Sequence, residues 1–119
     1  MILANLPSFM AQMPRLPGLM VLECGTNDIG HAGATATFEA ITGDWTAMAR
    51  YLNGRGVRTI FVPILPRAAG FSALFTVTQF ELMERCNRWL NGLAQRSEGW
   101  VAVASACLPA LADPALAGA

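Results

Sequence analysis

The run Leu19-Met20-Val21-Leu22-Glu23-Cys24-Gly25-Thr26-Asn27-Asp28 constrains this chain more than any other stretch. Six mostly apolar residues stop at a glycine, and a polar Thr-Asn-Asp follows at once. A strand apolar nearly throughout is the mark of a parallel sheet covered on both faces. Such a strand delivers whatever follows it to its carboxyl end, where ligands collect in open α/β sheets. An asparagine amide held there offers two N–H donors and no titrating charge, which suits it to a developing oxyanion.

The rest of the 119 residues supplies two more strand-and-helix units. Between Pro7 and Pro14, Ser8 to Met13 reads as a short helix. Phe38, Ile41, Trp45, Met48 and Leu52 recur in steps of three and four, which predicts an amphipathic helix closed by Gly54 and Gly56. Val57 to Val62 reads as the second strand, ending at Pro63. Thr78-Gln79-Phe80-Glu81 has capping-box spacing, with Phe80, Met83, Asn87, Leu90 and Ala94 behind it, and Gly99 marks the end of that helix. Trp100 to Ser105 is the third strand, and the Pro- and Ala-rich stretch beyond it has no clear period. Strands alternating with helices imply right-handed crossovers, a parallel sheet and helices on both faces. The expectation is a single α/β domain over residues 1–119, with two exposed sheet edges open to self-association.

Composition narrows the function. Charged residues make up 13% of the chain, against a usual share of about 25%, so the chain has unusually few groups with which to solvate its surface. Apolar surface covered by something outside this sequence is the reading. Eight arginines balance eight acids, there is no lysine, and the arginines are scattered, which gives no footprint for nucleic acid. No apolar run reaches the roughly 20 residues of a membrane span, and Met1 to Met13 lacks the basic start of a signal peptide. Cys24, Cys86 and Cys107 have no metal-ligand or Cys-x-x-Cys spacing and read as small core residues. Trp45, Trp89 and Trp100 read as core, as do Met20, Met48 and Met83. Glu23, inside an apolar strand, needs a partner if buried, for which Arg58 or Arg67 is placed.

Gly25-Thr26-Asn27-Asp28 after a buried strand resembles the Gly-x-Asn-Asp block of the SGNH hydrolases, also called GDSL esterases and lipases. The order that follows, helix, strand ending near a proline, helix, strand, is similar over residues 16–113. The resemblance implies a three-layer α/β/α, flavodoxin-like parallel sheet and a serine ester hydrolase working through an acyl-enzyme without metal or organic cofactor. Its substrate would be a small-molecule ester such as a lipid or an acetylated sugar. It implies that Asn27 is the catalytic oxyanion-hole side chain, that Gly25 lets the backbone turn, that Asp28 braces the loop, and that Thr26 belongs to the same substrate-binding block.

The family's other parts are missing. No Gly-Asp-Ser occurs, and Ser8, Ser72, Ser97 and Ser105 lack the strand-to-turn setting of an activated nucleophile. Asp113-Pro114-Ala115-Leu116 has leucine where the family has its histidine. The sole histidine, His31, follows Asn27 by four residues and reads as an ordinary loop residue rather than a local base. The expectation is a central portion of such a hydrolase, incomplete at both ends and inactive by itself. A small non-catalytic α/β interaction module is the alternative, and a nucleotide- or flavin-binding domain rests on fold analogy alone.

Overall fold

The computed structural model describes residues 2–25, 29, 37–65 and 76–104. Helix α1 spans Ile2–Ala11, strand β1 Leu19–Glu23, helix α2 Phe38–Asn53, strand β2 Arg58–Val62, helix α3 Val77–Arg96 and strand β3 Val101–Val103. The strands form one parallel sheet in the order β1-β2-β3. Leu19 pairs with Arg58, Val21 with Ile60 and Glu23 with Val62, while Ile60 pairs with Ala102. This is the expected α/β class: a parallel sheet with an incomplete three-layer arrangement.

One layer of helices is in place. A β-α-β crossover is right-handed in almost all proteins, so two successive crossovers that advance the sheet in one direction put both helices on one face. The packing agrees, because Trp45 on α2 stacks on Trp89 of α3, with ring centroids 6.2 Å apart at 24°. It also tilts against Phe61 of β2, at 6.0 Å and 50°. Trp45 and Phe61 are fully enclosed, with Leu52, Val57 and Leu90. On the opposite face no described element lies over the sheet. Leu19 and Val21 stay 50% and 58% exposed, and Glu23 is exposed as well. The strand therefore alternates: Leu22 is buried under the helices and its neighbours Val21 and Glu23 face outward. Glu23 needs no buried partner.

Local boundaries moved where packing had a say. The first helix begins at Ile2 and carries Pro7 inside it, rather than starting after that residue. Leu6 and Met10, one helical turn apart, are both buried, and this apolar pair holds α1 beside α2. Their burial outweighs the one hydrogen bond that Pro7 cannot donate. Helix α2 keeps its sequence-derived face, with Ile41, Trp45, Met48 and Leu52 buried, and Thr37 caps its start by accepting from the N–H of Ala40 at 3.1 Å. Gly54 stays right-handed at φ −63°, and it is Gly56, at φ +78°, that takes the left-handed turn into β2.

The capping box of α3 is Thr76 with Gln79, two residues ahead of the Thr78–Glu81 expectation. Met83, Cys86 and Leu90 are buried along the helix, whereas Phe80 is 38% exposed. Strand β3 is shorter than expected, and Trp100, 40% exposed, is not core. Cys86 is fully buried and Cys24 half-buried, neither in a disulfide, while Cys107 lies outside the described residues.

Replacing Pro7 with alanine restores a helical N–H at an exposed position. The gain of a backbone hydrogen bond and loss of the proline clash exceed the added freedom of the unfolded chain, so Pro7→Ala is expected to stabilise by about 1–2 kcal/mol. Urea unfolding reads this as a raised midpoint at unchanged m-value; a lowered midpoint would place the helix start after Pro7.

Candidate functional site

All three strands of a parallel sheet present their carboxyl ends along one edge, and that edge is built from the residues just after each strand. After β1 come Cys24 and Gly25. Gly25 is buried and has φ +107°, a conformation side-chain-bearing residues rarely adopt. Space is tight there as well, so that Ile64 would have to give by a few tenths of an ångström to admit a side chain. A Cβ on Gly25 would lie 3.0 Å from both Cγ1 and Cδ1 of Ile64 and 3.6 Å from Cζ2 of Trp45. The backbone thus turns at the strand tip in a slot between the β2 exit and the aromatic wall of α2. Beside it the indole N–H of Trp45 donates to Sγ of Cys24 at 3.2 Å.

The next described residue is Ile29. The N–H of Ile29 donates to the Gly25 carbonyl at 3.1 Å, and the Ile29 side chain is buried. The Ile29 carbonyl accepts from Nε2 of Gln79 at 2.7 Å. The same Gln79 amide accepts from the N–H of Thr76 through its oxygen at 2.7 Å, while the backbone N–H of Gln79 donates to the Thr76 hydroxyl at 3.2 Å. One side chain therefore caps α3 and ties that cap to the segment after β1. This tertiary bond explains the choice between two overlapping capping patterns: only the Thr76 register makes Gln79 the reciprocal partner.

A second amide on α3 does the same for β2. The N–H of Ile64 donates to Oδ1 of Asn87 at 2.8 Å, and Nδ2 of Asn87 donates to the Ile64 carbonyl at 3.0 Å. Asn87 thereby satisfies both backbone groups of a buried residue beyond the end of the ladder, where no strand can. The sequence had put Asn87 on the apolar face of this helix without assigning it work. The signal was there: a polar amide among Met83, Leu90 and Ala94 has to find partners.

Of the residues expected to form the site, Gly25 sits at the strand tip as described. Thr26, Asn27, Asp28 and His31 lie outside the described residues, as do Ser72, Ser105 and Asp113. The two described serines are not nucleophiles of this edge. Ser8 is exposed on α1. Ser97 caps the far end of α3, where its hydroxyl is shared between the carbonyls of Ala94 at 2.8 Å and Val101 at 3.0 Å and accepts from the N–H of Val101 at 2.9 Å. Cys86 offers no thiolate either: its burial among apolar groups raises the pKa from 9.0 to about 11, Arg85 opposing and Glu39 adding to the shift.

An open cavity of about 380 Å³ lies at the opposite, amino-terminal edge of the sheet, between Arg50, Asn53, Leu93, Ser97 and Trp100. It has no part in the strand-tip arrangement. Among the described residues no group of three or more His, Cys, Asp or Glu side chains is placed to hold a metal ion, and no helix is long and apolar enough to cross a membrane. Compared with family models, with curated proteins and with solved structures, the chain matches none.

Asn87→Leu strands the N–H and carbonyl of Ile64 in a buried setting and is expected to destabilise by about 2–4 kcal/mol, read by urea unfolding. Cys86 sets an alkaline limit. Its folded pKa is about 11 against 9.0 in the unfolded chain, so between those values the unfolded state loses the proton and the folded state keeps it. Stability falls as pH rises through that window. A Cys86→Ala variant should show a shallower loss above pH 9.0 in the same unfolding series.

Proposed function

We propose that this chain is the oxyanion-hole portion of a serine ester hydrolase, with the Asn27 amide donating to the tetrahedral oxyanion of a carboxylic ester. The nucleophile and base would come from residues other than those identifiable here. The observation that carries the reading is Gly25. A buried glycine at φ +107°, a conformation that strains any side-chain-bearing residue, turns the chain tightly against Ile64 at the carboxyl end of a parallel strand immediately before Thr26-Asn27-Asp28. A turn fixed by its left-handed glycine, with Ile29 held behind it by Gln79, is the kind of support an oxyanion donor needs, because such a donor works by being pre-positioned. The substrate class proposed is a small-molecule ester such as a lipid or an acetylated sugar, and the reaction calls for no metal or organic cofactor.

A second reading, an α/β interaction module without catalysis, draws on the bare outer face of the sheet. The genomic reading frame on either side of these codons separates the two. An in-frame Gly-Asp-Ser block before it and an Asp-x-x-His after it belong to the hydrolase.

In the protein expressed from that extended frame, Asn27→Ala should lower kcat for p-nitrophenyl acetate by about 10²–10³ with little change in KM, the usual cost of one oxyanion donor. The 119-residue chain alone should give no turnover above background. Undiminished kcat in the variant would remove Asn27 from the mechanism, and turnover by the short chain that a serine-directed phosphonate abolishes would show a nucleophile within it.

A further inference from the structure

The outward face of the sheet has an order of its own. Its rows follow from the pairing: Leu19 beside Arg58, Val21 beside Ile60 beside Ala102, and Glu23 beside Val62. The middle row is wholly apolar. Arg58 stands two residues from it toward the amino edge, its guanidinium 5.6 Å from the ring centroid of Trp100. Glu23 stands two residues from it toward the carboxyl edge. Arg58 and Glu23 are the charged residues of this face among the described strands, and they sit about 13 Å apart along the strand direction.

Opposite charges equally spaced on either side of an apolar row have a symmetry consequence. A two-fold axis lying between two such sheets and crossing the strands at the Val21–Ile60 row exchanges the two ends. Each Arg58 then meets the other copy's Glu23, and the apolar rows stack on one another, at the sheet-to-sheet spacing of about 10 Å. An unrelated partner would have no reason to require that equal spacing.

We propose that this face is a homodimer interface, with a second copy of the chain packed face to face on it across the Val21–Ile60–Ala102 row and two Arg58–Glu23 contacts at its ends. The face is only three strands wide, so the dimer is a weak, reversible one with a micromolar Kd, at the low end of specific interfaces. At this face the proposal competes with the hydrolase reading, because a complete three-layer domain would cover it with a second helix layer; a strict monomer overturns the dimer and leaves the hydrolase reading where it was.

Sedimentation equilibrium of the 119-residue chain tests it. The mass should rise from 12.7 kDa toward twice that value as concentration passes through tens of micromolar, and stop there. Val21→Arg should hold the chain at monomer mass. Arg58→Glu alone and Glu23→Arg alone each set like charges together twice per dimer and should weaken Kd about tenfold. The double variant restores the attraction with the ends exchanged and should return Kd to near that of the parent. All three positions are exposed, so circular dichroism should be unchanged throughout. A strict monomer overturns the proposal, as do single reversals without effect or a double variant no tighter than the singles. Growth past dimer overturns it too, because that is strand addition at the open β1 or β3 edge.

Discussion

Two consecutive crossovers of the same hand, each advancing the sheet by one strand, govern this molecule. They place α2 and α3 side by side on one face and leave the other without a described cover. The dry layer follows from that placement. Trp45 can stack on Trp89 and lean on Phe61 only because both helices lie over the same strands. The bare layer follows equally, since Val21 and Glu23 alternate with Leu22 along a single strand. A chain with 13% charged residues has little with which to solvate that second face, and the result is an apolar patch with one charge at each end.

Among the described residues, the strand-tip edge is held by side-chain amides. Gln79 and Asn87, both on α3, reach the segments after β1 and β2 and satisfy backbone groups that the ladder leaves behind. Neither amide changes charge with pH. Together with the Gly25 slot between Ile64 and Trp45, they fix where the backbone leaves β1. That exit is the physical basis for reading Asn27 as a donor, because an oxyanion hole gains from donors that need no reorganisation.

Much of the architecture was legible in the residues, and the misses share a cause. The first two strands stop where their apolar runs end at Gly25 and Pro63, and the third starts just after Gly99 closes the helix before it, because a break in the sequence pattern and a break in the backbone ladder coincide at each place. Helix α2 was legible because Ile41, Trp45, Met48 and Leu52 are large enough to mark its face. Helix α1 was misjudged because Pro7 is a strong local signal, and the burial of Leu6 and Met10 that overrides it is a contact with a distant helix. The capping register of α3 was misjudged because Thr76 and Thr78 both fit the local rule, and a bond to Ile29 distinguishes them. Trp100 reads as core beside Trp45 and Trp89, yet it sits just ahead of a strand whose outer face nothing described covers and stays 40% exposed.

The sequence alone determined the class of fold, the succession of its elements and the polar block that follows the first strand. These depend on periodicity and on turn residues, which act over a few positions along the chain. Only the tertiary structure decided which face of the sheet is covered, which amides tie the strand ends together and how closely Ile64 packs on residue 25. Those depend on the order of the strands and the hand of their connections, which bring together residues such as Gln79 and Ile29 that no local pattern relates.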